Sequence, residues 1–398
     1  MKSTEPILIL DGHTNQALAC ARSLGEAGYS VLVASHERFP LAGWSRYCRA
    51  RYRLGSQSVE EFERMRLWAQ REGVRVVLPL TERSCVLANA GRAAWEAAGI
   101  AVGCGEPEML EAAFDKARTI QHAERCGVRV PPTRVPASLD ECDAAATEVG
   151  FPCVVKPRRS NAWDGARFFQ TKAPVYVKSR EELKAAVEAC LWRDEWPLIQ
   201  AYAEGRGKGI FALCEAGRVV ARFAHERLRD TRPTGSGSSL RRSVLPEPRL
   251  VEPAERLLRE LRWHGPAMVE FKDDGGGEPC LMEVNGRFWG SLQLAIDAGV
   301  DFPLLWVAIL KGEKVEPSGL YRAGVTLRWL WGDIKRFLFI LRGAPKGYTG
   351  EYPSVAQGIR ELFGAQPAGT RLEAYRVGDP WPAVGEWVQG ARDLCARL

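Results

Sequence analysis

The sequence predicts a mixed fold, in which a parallel α/β unit is followed by an α+β region of smaller sheets and hairpins. The first 110 residues alternate short apolar runs with helical stretches, an order typical of a parallel sheet. Beyond about residue 130, strands and hairpins are mixed with short helices. Near residue 280, a predicted hairpin carries two acidic residues on facing strands, and this hairpin is the strongest indication of function in the sequence.

The N-terminal unit has the element order of a parallel α/β domain. The expected elements are strands at 7–10, 29–34 and 74–78, and helices ending near 27 and spanning 60–72 and 82–98. The turn after the first strand, which includes His13 and Thr14, lacks the GxGxxG glycines of a dinucleotide site. We therefore expect no nicotinamide or flavin cofactor in this unit.

The remaining chain divides into a strand-rich region and a tail. Asp115 is expected to cap a helix that ends at Gly127. The further expected elements are strands at 151–157 and 197–202 and helices at 181–190, 291–298 and about 333–341. The tail beyond Gly312 is rich in Trp, Gly and Pro.

Composition excludes several classes of function. The net charge of +6 over 398 residues is not concentrated in one run, so we expect no nucleic acid partner. The 11 cysteines form no CxxC pair, which suits reduced thiols in a cytoplasmic protein. No stretch reaches the ~20 apolar residues of a membrane span, so no membrane partner is expected. The short run 337–341 is expected to pack as a core stripe.

The hairpin has a symmetry that places two carboxylates opposite each other. Glu270 and Glu283 lie on strands joined by the turn residues 273–277. Folding about the centre of that turn brings Glu270 directly opposite Glu283, at roughly 4.5–5.5 Å between Cβ atoms. Asn285 and Arg287 share the face of Glu283, because strand side chains alternate with period two. Two carboxylates and an amide oxygen are ligands that Mg²⁺ accepts.

Two alternatives to this metal site stay open. The hairpin could be an exposed one, whose polar face meets only water. A bulge could also shift the register, and a slip of one residue would turn one carboxylate to the other face.

A lysine on a strand supplies a candidate phosphate ligand. Lys156 lies in the run 151–157 and is followed by a proline and a polar loop. Lys116 opens the helix capped by Asp115. Lysines neutralise phosphate charge, whereas the acidic hairpin would hold a metal that bridges phosphate oxygens. The plainer alternatives are a strand lysine that extends to solvent for Lys156 and a solvated first-turn lysine for Lys116.

Together these residues resemble the ATP-grasp superfamily of carboxylate–amine ligases, in its carbamoyl-phosphate synthase and biotin carboxylase-like branch. The resemblance covers residues 1–312 in the family's order. It implies a parallel α/β pre-grasp domain at 1–110 and an ATP-grasp domain at 111–312. That domain would combine a small lid lobe at about 150–205 with a large antiparallel-sheet lobe, and 313–398 would form a C-terminal extension.

The resemblance also implies roles for individual residues. The residues that would bind the nucleotide are Lys116, Lys156, Gln200, Ala201, Ala203 and Glu204. The residues that would bind Mg²⁺, or Mn²⁺ as an alternative, are Glu270, Glu283 and Asn285. Arg287 resembles the arginine that steadies the transferred phosphate. Spacing does not choose a substrate-side arginine among Arg227, Arg241 and Arg242, of which we name Arg242 as the second catalytic candidate.

The implied activity is an ATP-dependent ligation of a small-molecule carboxylate to an amine through an acyl phosphate. An amino acid is the expected substrate class, and the family leads us to expect a homodimer. One alternative is a carboxylating or carbamoylating enzyme that works through carboxyphosphate. The other is a protein that binds ATP without catalysis.

Overall fold

The computed structural model describes residues 4–317, 320–345, 348 and 351–395. The N-terminal unit contains a five-stranded parallel sheet with the strand order β3-β2-β1-β4-β5. Its strands are β1 (Pro6–Ile9), β2 (Ser30–Ser35), β3 (Cys48–Arg53), β4 (Val76–Leu78) and β5 (Ala101–Val102). Its helices are α1 (Asn15–Glu26), α2 (Val59–Arg71), α3 (Glu82–Ala90) and α4 (Arg92–Ala97). A short 3₁₀ helix, Leu41–Trp44, precedes β3.

The parallel α/β unit predicted from the sequence is confirmed. The side chains of Ile7, Leu8 and Ile9 in β1 are buried, and they alternate between two core clusters, as expected for an apolar run in a sheet covered on both faces. Thr14 caps α1 by accepting a hydrogen bond from the Ala17 N–H. The single helix expected at 82–98 is two helices, because the chain breaks at Gly91 between α3 and α4.

Two helices connect this unit to a small lobe, α5 (Pro107–Phe114) and α6 (Lys116–Arg125). The small lobe is built on an antiparallel sheet with the strand order β10-β7-β11-β6. Its elements are β6 (Thr133–Arg134), α7 (Leu139–Val149), β7 (Cys153–Lys156), β8 (Asn161–Trp163), β9 (Phe168–Gln170), β10 (Val175–Val177), α8 (Arg180–Cys190) and β11 (Leu198–Ala201). Since β6 belongs to the sheet, the small lobe begins before the residue 150 expected from the sequence.

The large lobe is a seven-stranded sheet with the order β16-β15-β12-β13-β14-β17-β18. Its strands are β12 (Arg206–Glu215), β13 (Arg218–Arg229), β14 (Leu240–Val244), β15 (Gly265–Asp273), β16 (Cys280–Asn285), β17 (Thr326–Arg328) and β18 (Arg371–Leu372). Its helices are α9 (Pro248–Glu260), α10 (Leu292–Ala298) and α11 (Phe302–Leu310). One core cluster joins Phe211 and Phe223 of this sheet to Ile7 and Leu18 of the N-terminal unit. The two units therefore share a core.

The C-terminal extension adds two strands to the large sheet. It contributes β17 and β18 to that sheet. Between these strands lie α12 (Leu330–Arg342) and α13 (Val355–Phe363), and α14 (Trp381–Cys395) follows β18. Residue 312 is therefore not a boundary of the sheet. The expected core stripe at 337–341 is wrong in part: Ile340 is buried, whereas 53% of Leu341 is exposed.

The ten cysteines from Cys20 to Cys280 are free thiols, as their scattered spacing predicts. Within the described residues, no single helix is long and apolar enough to cross a membrane. One bent pair, α10 with α11 at 97°, would meet that requirement by length and composition alone.

Candidate active site

The acidic hairpin has the predicted pairing. Glu270 of β15 is the direct partner of Glu283 of β16. Closer to the turn, Phe271 pairs with Leu281, so Met282 is an extra residue that forms a bulge. Near the turn, the pairing is therefore shifted by one residue from the register that a symmetric hairpin would have. The bulge at Met282 reverses this shift, so that Glu270 and Glu283 are direct partners.

The carboxylate of Glu270 is held in a crowded, half-buried position. Burial raises the pKa of Glu270 above its ordinary value, and the facing carboxylate of Glu283 raises it further. Arg227 and Arg287 oppose this shift. The Arg227 Nη2 donates to Glu270 Oε2 over 3.2 Å. These basic groups reduce the negative charge of the pair without removing the repulsion between its members.

Asn285 and Arg287 extend the network from Glu283. The Asn285 Nδ2 donates to Glu283 Oε1 over 3.1 Å. The Arg287 Nη2 donates to Asn285 Oδ1 over 3.0 Å, and its Nη1 donates to the Phe288 carbonyl over 3.0 Å. The predicted metal triad and its arginine therefore lie in one connected cluster.

The backbone that carries this cluster is fixed from behind. A Cβ at Gly286 would lie 2.5 Å from Trp263 Cη2, so only glycine allows this close packing. The hydroxyl of Ser291 is 2.8 Å from the Nε2 of His225. Burial lowers the pKa of His225 to about 3, with help from Arg241 and Arg227, so its ring is neutral at pH 7. A neutral histidine therefore holds the segment that follows Arg287.

Lys156 faces the acidic hairpin from the small lobe. Its Nζ donates to Gln200 Oε1 over 2.6 Å, and the Gln200 Nε2 donates to Thr133 Oγ1 over 2.8 Å. Burial lowers the pKa of Lys156 to about 8, whereas Glu283 counteracts this shift. Lys116 and Lys272 lower the pKa further. The charges of Glu283, Lys116 and Lys272 therefore all act on the Lys156 ammonium group.

Lys116 and the loop after Lys156 are locked together through Asp115. The carboxylate of Asp115 is fully buried and accepts the Ala117 N–H over 2.9 Å, which confirms it as the N-cap of α6. The guanidinium groups of Arg158 and Arg159 bind the same carboxylate. The Lys116 Nζ donates to Ser160 Oγ over 3.3 Å. This arrangement brings the two predicted phosphate lysines to one place.

The remaining predicted nucleotide residues follow Gln200 between the two sheets. Ala201 ends β11, Ala203 is half-buried and Glu204 is exposed. Lys208, which follows on β12, turns to the other face of the large sheet, where its Nζ lies 2.8 Å from Asp273. The roles of Ala201, Ala203 and Glu204 stay predictions.

The structure does not bring Arg242 to the acidic hairpin. Arg242 is exposed and pairs across the strands with Glu226 over 2.6 Å. Arg227 lies one position further along β13, on the face of Glu270, and pairs in register with Arg241. Because alternate side chains face opposite sides, Arg242 points away from the site. The choice of Arg242 as second catalytic arginine is therefore corrected, and Arg227 is the one beside Glu270.

Lys272 is a site residue that the sequence reasoning missed. It lies two positions after Glu270 on β15, and its Nζ donates to the Gly205 carbonyl over 2.9 Å. The period of two that placed Asn285 with Glu283 could also have placed Lys272 with Glu270.

The residues present fit a divalent cation that is completed by other ligands. Within the described chain no group of three or more His, Cys, Asp or Glu side chains could hold a metal ion. The site offers two carboxylates and one amide oxygen, and the raised pKa of Glu270 shows that its negative charge is poorly compensated. Magnesium commonly takes few protein carboxylates and adds substrate phosphate oxygens, which Lys156 and Lys116 could position.

Comparison with known proteins connects this geometry to one family. The family described as "ATP-grasp in the biosynthetic pathway with Ter operon" matches residues 195–331. A D-alanine–D-alanine ligase of Ectopseudomonas mendocina (strain ymp) is 30% identical over 227 residues, which cover 52% of this chain and 67% of the relative.

Solved structures share the fold. A biotin carboxylase of Campylobacter jejuni in complex with an ATP analogue has a TM-score of 0.65 at 17% identity, covering 82% of this chain and 75% of the other. The biotin carboxylase domain of the Hydrogenobacter thermophilus 2-oxoglutarate carboxylase, in complex with MgADP, ADP and bicarbonate, has a TM-score of 0.62 at 19% identity. That match covers 80% of this chain and 73% of the other.

Proposed function

The chain belongs to the ATP-grasp family of carboxylate–amine ligases, and from this membership we propose that it joins an amino-acid carboxylate to an amine. Ligases of this family form ADP and use ATP with Mg²⁺. The amino-acid substrate is supported by the D-alanine–D-alanine ligase relative, whose own substrate is an amino acid by name.

In the proposed reaction, a carboxylate oxygen of the acid attacks the γ-phosphorus of ATP, and ADP leaves. The product is an acyl phosphate. The nitrogen of the amine then attacks the acyl carbon, an amide bond forms, and inorganic phosphate leaves with the oxygen that came from the acid. One proton is released from the amine. The protein contributes positioning and electrostatic stabilisation, and no side-chain nucleophile is needed.

We propose that the charged side chains of the site contact the triphosphate of ATP from two sides, the small lobe and the acidic hairpin. Lys116 and Lys156 would bind phosphate oxygens from the side of the small lobe. Glu270, Glu283 and Asn285 would hold Mg²⁺, which supplies positive charge to the phosphoryl oxygens when bound. Arg287 would stabilise the negative charge of the transferred group. Arg227 would keep Glu270 in place.

The nucleotide base and ribose would lie where the two sheets meet. We propose that the backbone of Gln200, Ala201 and Ala203 contacts adenine and that Glu204 contacts the ribose. The Gln200 side chain already binds Lys156, so it links this segment to the phosphate lysines. Closure of the small lobe over the large one would exclude water from the acyl phosphate.

The observation that carries this proposal is the position of Lys156 relative to the hairpin. Glu283 is the main group that counteracts the lowered pKa of Lys156, although the two residues come from different lobes. A phosphate-binding cation and a metal-binding carboxylate pair thus face the same space. An exposed hairpin whose polar face meets only water does not account for this arrangement.

Three finer properties belong to the same proposal. Mn²⁺ could replace Mg²⁺, because the donor set is made only of oxygens. The free thiols of the described cysteines suit the cytoplasm. We also propose a homodimer, in line with the dimer named for the H. thermophilus biotin carboxylase domain.

The test is an ADP-release assay with paired panels of carboxylic acids and amino acids, with hydroxylamine as a substitute amine. Hydroxylamine should trap the acyl phosphate as a hydroxamate and so identify the acid. Lys156→Ala and Glu283→Ala should abolish the hydroxamate, whereas Glu278→Ala, at an exposed position in the turn of the same hairpin, should not. Full turnover in the first two variants would refute the assignment.

The same assay separates the two rival activities. Release of ADP with bicarbonate and without any amine would favour the carboxyphosphate route. Binding of ATP without release of phosphate under every acid and amine would favour a non-catalytic protein.

A further inference from the structure

A cavity of about 400 Å³ lies between α1, α10 and the C-terminal extension. We propose that this cavity binds a small ligand through an oxyanion, either a carboxylate or a phosphate group. None of the residues assigned above to ATP, metal or phosphoryl transfer lines it. The proposal therefore does not depend on the proposed function.

Three guanidinium groups of the C-terminal extension meet around Asp297 of α10. Arg376 donates its Nη2 to Asp297 Oδ2 over 2.6 Å. Arg371 places its Nη1 3.3 Å from Asp297 Oδ1. Arg322 donates its Nη2 to the main-chain carbonyl of Asp297 over 2.7 Å. One carboxylate therefore faces three positive charges.

The other charged groups of the cavity do not correct this excess. Arg22 and Asp379 form their own buried ion pair at 2.9 Å. Glu26 is exposed at the rim. In the part of the chain that the structure describes, no carboxylate forms an ion pair with Arg322. Burial lowers the pKa of Arg376, Asp297 and the nearby Glu373 counteract this shift, and the like charges of Arg22 and Arg371 add to it.

The carboxylate of Asp297 is already shared among several donors. Besides the two arginines, it accepts the Gln293 Nε2 over 3.2 Å. Each guanidinium has five N–H groups in a fixed fork. Since Arg371 and Arg322 are exposed and each makes one contact with Asp297, most of their N–H groups can still bind an incoming anion. Forked donors of this kind suit the paired oxygens of a carboxylate or phosphate.

The volume and position suit a ligand larger than a lone ion. A cavity of about 400 Å³ falls in the range of small-molecule sites, roughly 300–1,000 Å³. It lies along α10, which begins directly after Ser291, the residue that binds His225 next to the Arg287 segment. The plainer interpretation is that these ion pairs only fasten the extension to the rest of the protein.

Isothermal titration of the full-length protein with inorganic phosphate, and separately with succinate, tests the proposal. Mg²⁺ and a non-hydrolysable ATP analogue are present throughout, so that the phosphate-binding lysines are already occupied. Ionic strength is held constant with chloride. We expect saturable binding of one anion per chain, and the arm that binds identifies phosphate or carboxylate as the recognised group.

Two variants and a matched control make the outcome specific. Arg371→Gln and Arg322→Gln should each weaken the anion by about tenfold, because each removes charged hydrogen bonds. Arg392→Gln changes an exposed arginine of the same extension, paired with Glu37 at 2.9 Å, and should alter the affinity by less than about twofold.

Either of two results would overturn the proposal. The first is an adventitious response only, in which neither anion gives saturable heat at millimolar concentrations. The second is an equal loss in all three arginine variants, which would indicate a general effect of surface charge. In both cases the cluster around Asp297 would serve only to fasten the extension.

Discussion

Glu270 occupies a position in which its charge is unfavourable until a cation arrives. Its pKa is raised first by burial and then by Glu283 across the hairpin, and the ion pair with Arg227 offsets this only in part. Sites built for a ligand commonly carry such local destabilisation. The charge of Glu270, which we propose binds the metal, thus costs the ligand-free protein some stability.

Glu270→Gln should therefore separate stability from activity. We expect ADP release to fall by about 100-fold or more, because the metal loses one of its two carboxylates. The free energy of unfolding of the ligand-free protein should be unchanged or higher by up to ~1 kcal/mol, since the repulsion with Glu283 is removed. Urea denaturation and the ADP assay measure the two effects. A clear loss of stability would contradict this account of Glu270.

The lowered pKa of Lys156 leads us to expect that ATP binding depends on pH. Because its pKa is lowered to about 8, the free protein loses the positive charge of this lysine as the pH rises through that value. Phosphate binding needs the charged form, so ATP affinity should fall roughly tenfold between about pH 7 and pH 9. Lys156→Arg, whose side chain stays charged, should remove that fall. ATP titrations across this range check the prediction, and a flat wild-type profile would contradict it.

At the scale of elements, the first turn of α6 ties the small lobe to the nucleotide site. Asp115 caps the helix, and two arginines from the loop after β7 bind the same buried carboxylate. Lys116 begins the helix, and Lys156 ends β7. The relative position of the two lysines that we propose bind phosphate therefore depends on the Asp115 side chain.

Asp115→Ala should destabilise this junction strongly. Removal of the carboxylate takes away the helix cap and leaves Arg158 and Arg159 without their shared partner, at a cost of roughly 3 kcal/mol. Asp143→Ala removes the half-buried partner of the exposed Arg180 and should cost less than about 0.5 kcal/mol. Chemical denaturation of the two variants provides the comparison. Equal losses would mean that Asp115 has no special structural role.

Sequence patterns predicted the strands of the site better than they predicted the register between strands, which decides the face on which each side chain lies. The opposition of Glu270 and Glu283 followed from turn symmetry, but the bulge at Met282 that produces it left no pattern in the residues. The error at Arg242 has the same origin. The face on which Arg242 lies depends on the register between β13 and β14. An irregular loop joins these strands, and residue spacing alone does not determine their register.

At the scale of the whole molecule, the C-terminal extension contributes strands to the large lobe. The strands at 326–328 and 371–372 could not be predicted, because runs of two or three residues are too short for a periodic pattern. The extension also supplies Glu373, which binds the buried Arg241 of β14 over 2.8 Å. Arg241 is the direct neighbour of Arg227 across the strands.

Glu373→Gln tests this dependence on the extension. Both charges of the pair are almost fully buried, so neutralising Glu373 leaves Arg241 uncompensated, and we expect a loss of roughly 2–3 kcal/mol in unfolding free energy. Glu361→Gln, which changes the partner of Arg336 in the same extension, should cost less than ~1 kcal/mol. Calorimetry of the two proteins measures the difference. A Glu373→Gln protein as stable as the control would show that the extension is not needed in this way.

The central claim is that the carboxylate of the acid is phosphorylated by ATP at the Glu270–Glu283 hairpin. The most direct measurement uses the acid identified by the hydroxamate assay, labelled with ¹⁸O in its carboxylate, with ³¹P NMR of the products. The acyl-phosphate route predicts one ¹⁸O in each inorganic phosphate and none in the nucleotide. Unlabelled phosphate, or ¹⁸O recovered in AMP, would contradict the account.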